Sequence, residues 1–426
     1  MDKRSFLKKA SVLGVLPFTY PKFFGPSAQA PKPINSKGTF WHNSNAAADY
    51  WEVIREQYDL TSEYINLESG YYNIIPKPTL EKLQANMQRV NFQGAHYMRT
   101  QLDSDRRETT QALADFMGVA ERNLIITRNT TESLDLVIAG YPWQKGDHVI
   151  YALQDYGAMK VMFEQVVQRH GLTQDLVSVP NHPKDDNEIV ALYESKIKAN
   201  TKMIMVCHMI NITGQILPIR KICDMAHNHG VEVLVDGAHC VGHFDYDLKG
   251  LNCDYYGSSL HKWLAAPLGN GLLYIEDKRI ASLWPLLADY IEDRSNILRL
   301  NHLGTHPAYI TLGVKDAIDY LNVIGLKRKE ERLRFLRTYW MDALKDVPNV
   351  VINTPWDPHR ACGIGNIGLS NMSPGVMAQR LLDEHGVFTV AIDYANVHGC
   401  RITPNVFTTT AELDHFITAI KTLAQS

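Results

Sequence analysis

The chain has 426 residues, 45% hydrophobic and 21% charged, with 27 Gly and 19 Pro. That usage excludes fibrous, collagenous and disordered classes and suffices for two domains with sizeable cores. A formal net charge of -3 leaves no basic excess to neutralise the phosphates of a nucleic acid, and no apolar run reaches the roughly 18 residues that span a bilayer.

Residues 1–30 combine a cationic start, a short apolar stretch from Ala10 to Phe18 and a small-x-small ending, Ala28-Gln29-Ala30. This pattern predicts an export signal. The segment Lys3-Arg4-Ser5-Phe6-Leu7-Lys8 resembles the twin-arginine signal, with lysine at the first arginine position. The expected location is therefore periplasmic or otherwise exported, with no membrane insertion after cleavage; a cytoplasmic chain is the alternative if residues 1–30 are not a signal. The six cysteines (Cys207, Cys223, Cys240, Cys253, Cys362 and Cys400) form no CxxC and lie in or beside apolar runs, as buried free thiols do.

Residues 31–62 read as a linker, polar from Pro31 to Thr39, followed by a helix over 46–58. Asn66 to Pro78 is rich in turn residues and reads as a loop. From about 79 to 275, short apolar or β-branched runs at 123–127, 148–153, 176–180, 202–208, 231–236 and 271–275 alternate with helical patterns at 132–140, 157–170, 187–199 and 218–229. Near-continuous apolar strands separated by helices predict an α/β domain with a mostly parallel sheet covered on both faces. This large domain is placed at 63–295. Beyond 296 come long helices (308–323 and 326–345), strands near 350–353, 364–370, 387–392 and 400–403, and a helix from 410. They predict a smaller C-terminal α+β domain over 296–426.

Three motifs compete for the chemistry. Gly363-Ile364-Gly365-Asn366-Ile367-Gly368 is a literal GxGxxG, but the turn-rich PWDPHRAC precedes it where a dinucleotide site needs a strand. Its isoleucines are assigned to a strand of the small domain. Asp236, His239 and His243 invite a metal, and with it a metal-dependent hydrolase, yet no tight ligand motif such as HExxH is present. The third set is ordered along the sheet. Asp236 ends the run VEVLVD, Lys262 follows CDYYGSS, and Asn129-Thr130-Thr131 opens a helix after NLIIT, offering hydroxyls and free N–H groups to a phosphate. A carboxylate, a lysine and a phosphate seat at strand ends are what pyridoxal 5'-phosphate requires.

Residues 235–275, VDGAHCVGHFDYDLKGLNCDYYGSSLHKWLAAPLGNGLLYI, resemble the class V aminotransferase family of fold-type I pyridoxal-phosphate enzymes, which includes cysteine desulfurases, kynureninase and isopenicillin N epimerase. The resemblance implies Lys262 as the Schiff-base lysine and Asp236 as the partner of the pyridinium nitrogen. Thr130, Thr131, Ser259 and His261 match the phosphate seat, and Tyr156 the group stacked on the ring. Asn211 and His239 match positions near the ring hydroxyl or substrate carboxylate, and Arg401 matches the arginine that forks that carboxylate. Gly304-Thr305 resembles the loop that reaches the phosphate of the other subunit, which implies a homodimer with shared active sites. Arg99, Tyr71, Tyr72 and His306 are further candidates for the pocket. Cysteine desulfurases carry a nucleophilic cysteine well before the arginine; here the only thiol nearby, Cys400, abuts Arg401, which disfavours sulfur transfer. The pattern is closer to the isopenicillin N epimerase-like branch. The expected activity is that of an exported aminotransferase-like enzyme acting on an amine or amino-acid substrate, small or peptide-borne. Exported members of the group resemble the enzyme that modifies the peptide siderophore pyoverdine. An amino-acid epimerase is the alternative within the family, and a non-catalytic exported binding protein the alternative outside it.

Overall fold

The structure, a computed structural model, describes residues 44–426, so the export signal read in residues 1–30 lies outside the described residues. In chain order the first strands are β1 (Ile65–Asn66), β2 (Leu124–Thr127), β3 (His148–Ala152), β4 (Thr173–Val177), β5 (Thr201–Cys207), β6 (Glu232–Asp236), β7 (Tyr255–Ser259) and β8 (Gly271–Ile275). They are followed by β9 (Val350–Ile352), β10 (Gly365–Leu369), β11 (Val387–Phe388), β12 (Val390–Tyr394) and β13 (Val397–Ile402). Seven of them form one sheet in the order β2-β8-β7-β6-β5-β3-β4. The run from β7 to β4 is parallel, while β8 is antiparallel to both of its neighbours.

Each strand feeds two cores. In β6, Val233 and Val235 join one apolar cluster and Leu234 the opposite one; in β5, Ile204 and Val206 face away from Met203 and Met205. Helices Thr130–Gly140 and Gly157–His170 cover one side, and Asp186–Glu194 and Ile219–Asn228 the other. Covering both faces is why these strands read as unbroken apolar runs, each buried aliphatic side chain contributing roughly 1.5–3 kcal/mol. The carboxyl ends of β2, β3, β5, β6 and β7 therefore open on one edge, the edge at which parallel sheets present ligand groups.

The second sheet is antiparallel, in the order β12-β13-β10-β9, and β1 pairs with β11 in a separate parallel ribbon. Its core includes Trp340 and Phe416 from helices Leu326–Leu344 and Thr410–Gln425. A capping box at Thr409 and Glu412 starts the last helix and satisfies two backbone donors there. The chain passes between the two sheets at both ends. Helix Ala308–Ile324 packs on helices Lys77–Gln93 and Leu102–Met117, whereas Glu68 bridges Thr403 beside the second sheet.

Three elements differ from the sequence expectation. The run at 176–180 is replaced by β4 at 173–177, because this edge strand takes polar residues: Asp175 binds Lys198 and lies against His148. The strand expected at 387–392 is divided, β11 pairing with β1 and β12 with β13. The helix expected to reach 199 ends at Glu194, and a turn in which Thr201 Oγ1 accepts Lys198 N–H at 2.8 Å leads into β5. The GxGxxG motif enters β10, between β13 and β9. Its first glycine serves close approach: a Cβ on Gly363 would lie 2.9 Å from His243 Nε2 and 3.1 Å from Trp263 Cη2, nearer than carbon atoms pack without strain.

Candidate active site

At the carboxyl edge of the large sheet lies a cavity of about 460 Å³. It is lined by Thr130, Thr131, Tyr156, Asn211, Asp236, His239, Ser259, His261, Lys262 and Arg401, ten of the eleven site residues expected from the sequence. Its floor begins at the helix opened by Asn129, whose side chain accepts Glu132 N–H. Thr130 N–H donates to Ser259 Oγ at 3.0 Å, and the two hydroxyls lie 2.6 Å apart. Strand β8 closes tightly behind this turn, since a Cβ on Gly271 would lie 2.7 Å from the Asn129 backbone. Hydroxyls clustered at the positive end of a helix make an anion seat. His261 stands beside it with Nδ1 on Asn270 O at 3.2 Å, and burial pushes its pKa down to about 4, leaving a neutral ring.

Lys262 follows β7 in a short turn and is half-buried at the cavity wall; Trp263 beside it has no exposed surface. The indole N–H of Trp263 can only donate, and it meets His239 Nδ1 at 3.3 Å. That bond places the proton of the neutral imidazole on Nε2, which lies 3.1 Å from Lys262 Nζ. An Nε2–H facing the amine requires the amine to accept, so the geometry suits a neutral Lys262. Burial, partly opposed by Asp236 and assisted by Arg401, lowers the Lys262 pKa to about 8, and burial holds His239 well below its ordinary value. The His239 shift agrees with a neutral imidazole, and the Lys262 shift brings its free base within reach near pH 8. Asp236 ends β6; its Oδ1 accepts Ala238 N–H at 3.0 Å, and Oδ2 takes no protein donor among the described residues. Burial raises its pKa, so the ionised carboxylate needs a cationic or N–H partner there.

Tyr156 stands after β3 at the start of its helix, 45% exposed toward the cavity mouth. Asn211 Oδ1 is buried without a partner, an orphan that a ligand donor would satisfy. Arg401 sits on β13, and its guanidinium is met by a residue that sequence reading did not single out. Glu68 accepts from Arg401 Nε at 3.1 Å and from Nη2 more closely. No local signal marks Glu68 within a turn-rich loop; a buried arginine on an apolar strand is the one hint that an anion must come from elsewhere.

Of the further candidates, Tyr71 lines this cavity, while Tyr72 and Arg99 do not border it. Gly304, Thr305 and His306 line a different cavity of about 960 Å³ together with Arg106, so within one chain Thr305 is not brought to the site. The Asp236, His239 and His243 set does not converge on a metal: His243 Nδ1 donates to His239 O at 2.7 Å and Nε2 accepts Gly363 N–H at 2.8 Å, which leaves no lone pair free on its ring. All six cysteines are buried and unpaired. Cys207 borders the cavity, yet burial raises its thiol pKa well above the ordinary value. Burial likewise pushes Cys400 up to about 12, and its Sγ faces Pro374 O at 3.6 Å.

An anion seat, a buried carboxylate with a free oxygen, an orphaned amide oxygen and a neutral-capable lysine around one cavity fit pyridoxal phosphate. With the mostly parallel sheet beneath them they define a fold-type I pyridoxal-phosphate enzyme. The aminotransferase class-V family model matches residues 74–398; the chain belongs to that family, and pyridoxal 5'-phosphate is its cofactor. It is 26% identical over 395 residues to the isopenicillin N epimerase of Streptomyces clavuligerus, covering 89% of this chain and 99% of the relative. Among solved structures it resembles an apo cysteine desulfurase from Thermococcus onnurineus NA1, with a TM-score of 0.78, 22% identity and coverage of 88% and 98% of the two chains. A mutant of the cystine C–S lyase C-DES, with glycine covalently linked to its pyridoxal-phosphate cofactor, has a TM-score of 0.78 at 21% identity, covering 86% and 98%.

Proposed function

We propose that this chain is an aminotransferase-like enzyme that acts on a primary amine or amino-acid substrate, with Lys262 as the reactive amine. The observation that carries this reading is the Trp263–His239–Lys262 chain of contacts, which places Nζ in a cavity with Asp236 and the anion seat on its walls. When bound, pyridoxal phosphate supplies an aldehyde that condenses with amines and a protonated pyridine that withdraws electrons from the substrate Cα. The chain's residues do the rest. Thr130, Thr131, Ser259 and His261 would hold the phosphate, and Asp236 would keep a proton at the pyridine nitrogen. Tyr156 would cover the ring face, while Asn211 and His239 would orient the ring hydroxyl and the amine. Lys262 Nζ would take the proton from the substrate Cα and return it, the transfer that sets the reaction type.

The pKa of Lys262 gives this assignment a pH signature. Only the free base attacks an aldehyde, and its fraction rises with pH up to the amine's pKa. With that pKa lowered to about 8, the rate of cofactor uptake by apoprotein, followed by absorbance, should rise about tenfold per unit below pH 8 and level off above it. A rate that keeps climbing toward pH 10 would mean that an ordinary lysine is responsible.

Epimerisation is the second reading, supported by likeness to an isopenicillin N epimerase along 89% of the chain. Sulfur transfer is the reading we disfavour: the chain is 26% identical over 342 residues to a probable cysteine desulfurase, but Cys207 and Cys400 are held as buried thiols. Transamination and epimerisation separate on adding amines to the holoenzyme in deuterated water. A transaminase converts its cofactor to stable pyridoxamine phosphate and releases a carbonyl product. An epimerase returns the cofactor unchanged and leaves deuterium at an inverted Cα. The combination expected is pyridoxamine phosphate with carbonyl product; the other outcome replaces the first reading with the second. The same proposal includes export, on the pattern of residues 1–30, and a homodimer in which Thr305 serves the partner's phosphate seat, a role consistent with its place on the separate 960 Å³ cavity.

A further inference from the structure

The expected carboxylate fork of this family's pocket is already filled from within the chain. Glu68 engages Arg401 through Nε and Nη2, one of the two edges on which a guanidinium can fork a carboxylate, and Arg401 Nη1 donates to Asn211 O at 3.3 Å. Side-chain exposure is 8% for Arg401 and 4% for Glu68. Gly70 lies against the guanidinium, where a Cβ would stand 3.1 Å from Cζ. Nor is Glu68 placed to retreat. Its carboxylate accepts Tyr71 N–H at 2.9 Å, its own N–H donates to Asn66 Oδ1 at 3.0 Å, and Thr403 Oγ1 accepts the N–H groups of Ser69 and Gly70 at 2.7 and 3.1 Å.

We propose that Glu68 sets substrate choice at this seat: by neutralising Arg401 and occupying its Nε/Nη2 edge it turns away a free α-carboxylate and selects primary amines bearing a neutral carbonyl there, as in the carboxamide of a peptide unit. The inference rests on the reading of Lys262 and pyridoxal phosphate given above and narrows its substrate class. A substrate carboxylate would place a second anion beside Glu68 on one buried guanidinium, and like charges brought together in that way cost several kcal/mol in an interface. Displacing Glu68 instead would leave it buried and unpaired, which is no cheaper. An amide oxygen brings no charge. A guanidinium has five N–H donors, of which three are engaged here; since Arg401 lines the cavity, a neutral acceptor can use what remains.

The test titrates holoenzyme with L-leucine and L-glutamate and with their α-carboxamides, reading the cofactor absorbance band. Wild-type protein should bind each amide at least about tenfold more tightly than its acid, and Glu68→Gln should shift that ratio toward the acid by about tenfold or more. Tighter binding of the acids by wild type, or an unchanged ratio in Glu68→Gln, overturns the proposal. If none of these amines perturbs the band, propionate and propionamide replace them: a band that answers propionate in Glu68→Gln and not in wild type supports the proposal, and any equal response, including none, overturns it. The wild-type preference can be read even if the variant does not fold. Holoenzyme that forms a borohydride-fixed adduct on Lys262 but shows no such preference refutes this inference alone; absence of the adduct refutes the reading beneath it.

Discussion

Replacing Lys262 with alanine is expected to remove covalent retention of the cofactor and to lower turnover by at least about 10³-fold, since in the proposed roles one substitution takes away both the attachment point and the base. Loose cofactor binding should survive. The proposed phosphate seat, Thr130, Thr131, Ser259 and His261 around a helix start, does not depend on the lysine side chain. The variant should therefore take up pyridoxal phosphate reversibly, lose it on gel filtration and show no borohydride-fixed adduct. Full turnover by Lys262→Ala would place the chemistry elsewhere.

Asp236→Asn carries the second large effect. The buried carboxylate that ends β6 has one oxygen free to meet the cofactor. Asparagine would fill the same volume and could still accept from Ala238, but without a charge it cannot hold a proton on the pyridine nitrogen. Turnover should fall by about 10³-fold, a loss in the range of a lost acid–base group, with the cofactor still bound. Because burial already raises the pKa of Asp236, removing the charge relieves desolvation, so the apoprotein should melt no lower than wild type. Retained stability with lost turnover is the pattern that separates a chemical role for Asp236 from a structural one; activity close to wild type would deny it the chemical role.

The central sheet and most of this cavity were legible in the sequence because each group sits at the end of an apolar run. Asp236 closes β6, Lys262 follows β7 and Thr130 follows β2, and in parallel strands such ends converge whatever the loops between them do. Local pattern failed where the partner is remote. Glu68 and Arg401 lie 333 residues apart, and nothing near either residue names the other. The sequence context of the GxGxxG around Gly363 argues against a phosphate-binding fingerprint, but the reason for a glycine there is remote: the stacked pair of His243 and Trp263, with ring centroids 3.7 Å apart, leaves no room for a side chain. The edge strand β4 was misplaced for the opposite reason: an edge tolerates Thr173, Gln174 and Asp175, so apolar content marks it poorly.

The account stands on the covalent partner of the cofactor, and that can be read directly. Holoenzyme reduced with borohydride, digested and mapped by mass spectrometry should carry the phosphopyridoxyl group on the peptide containing Lys262 at close to one per chain. A modification centred on any other lysine, or none at all on protein loaded with pyridoxal phosphate, would contradict it.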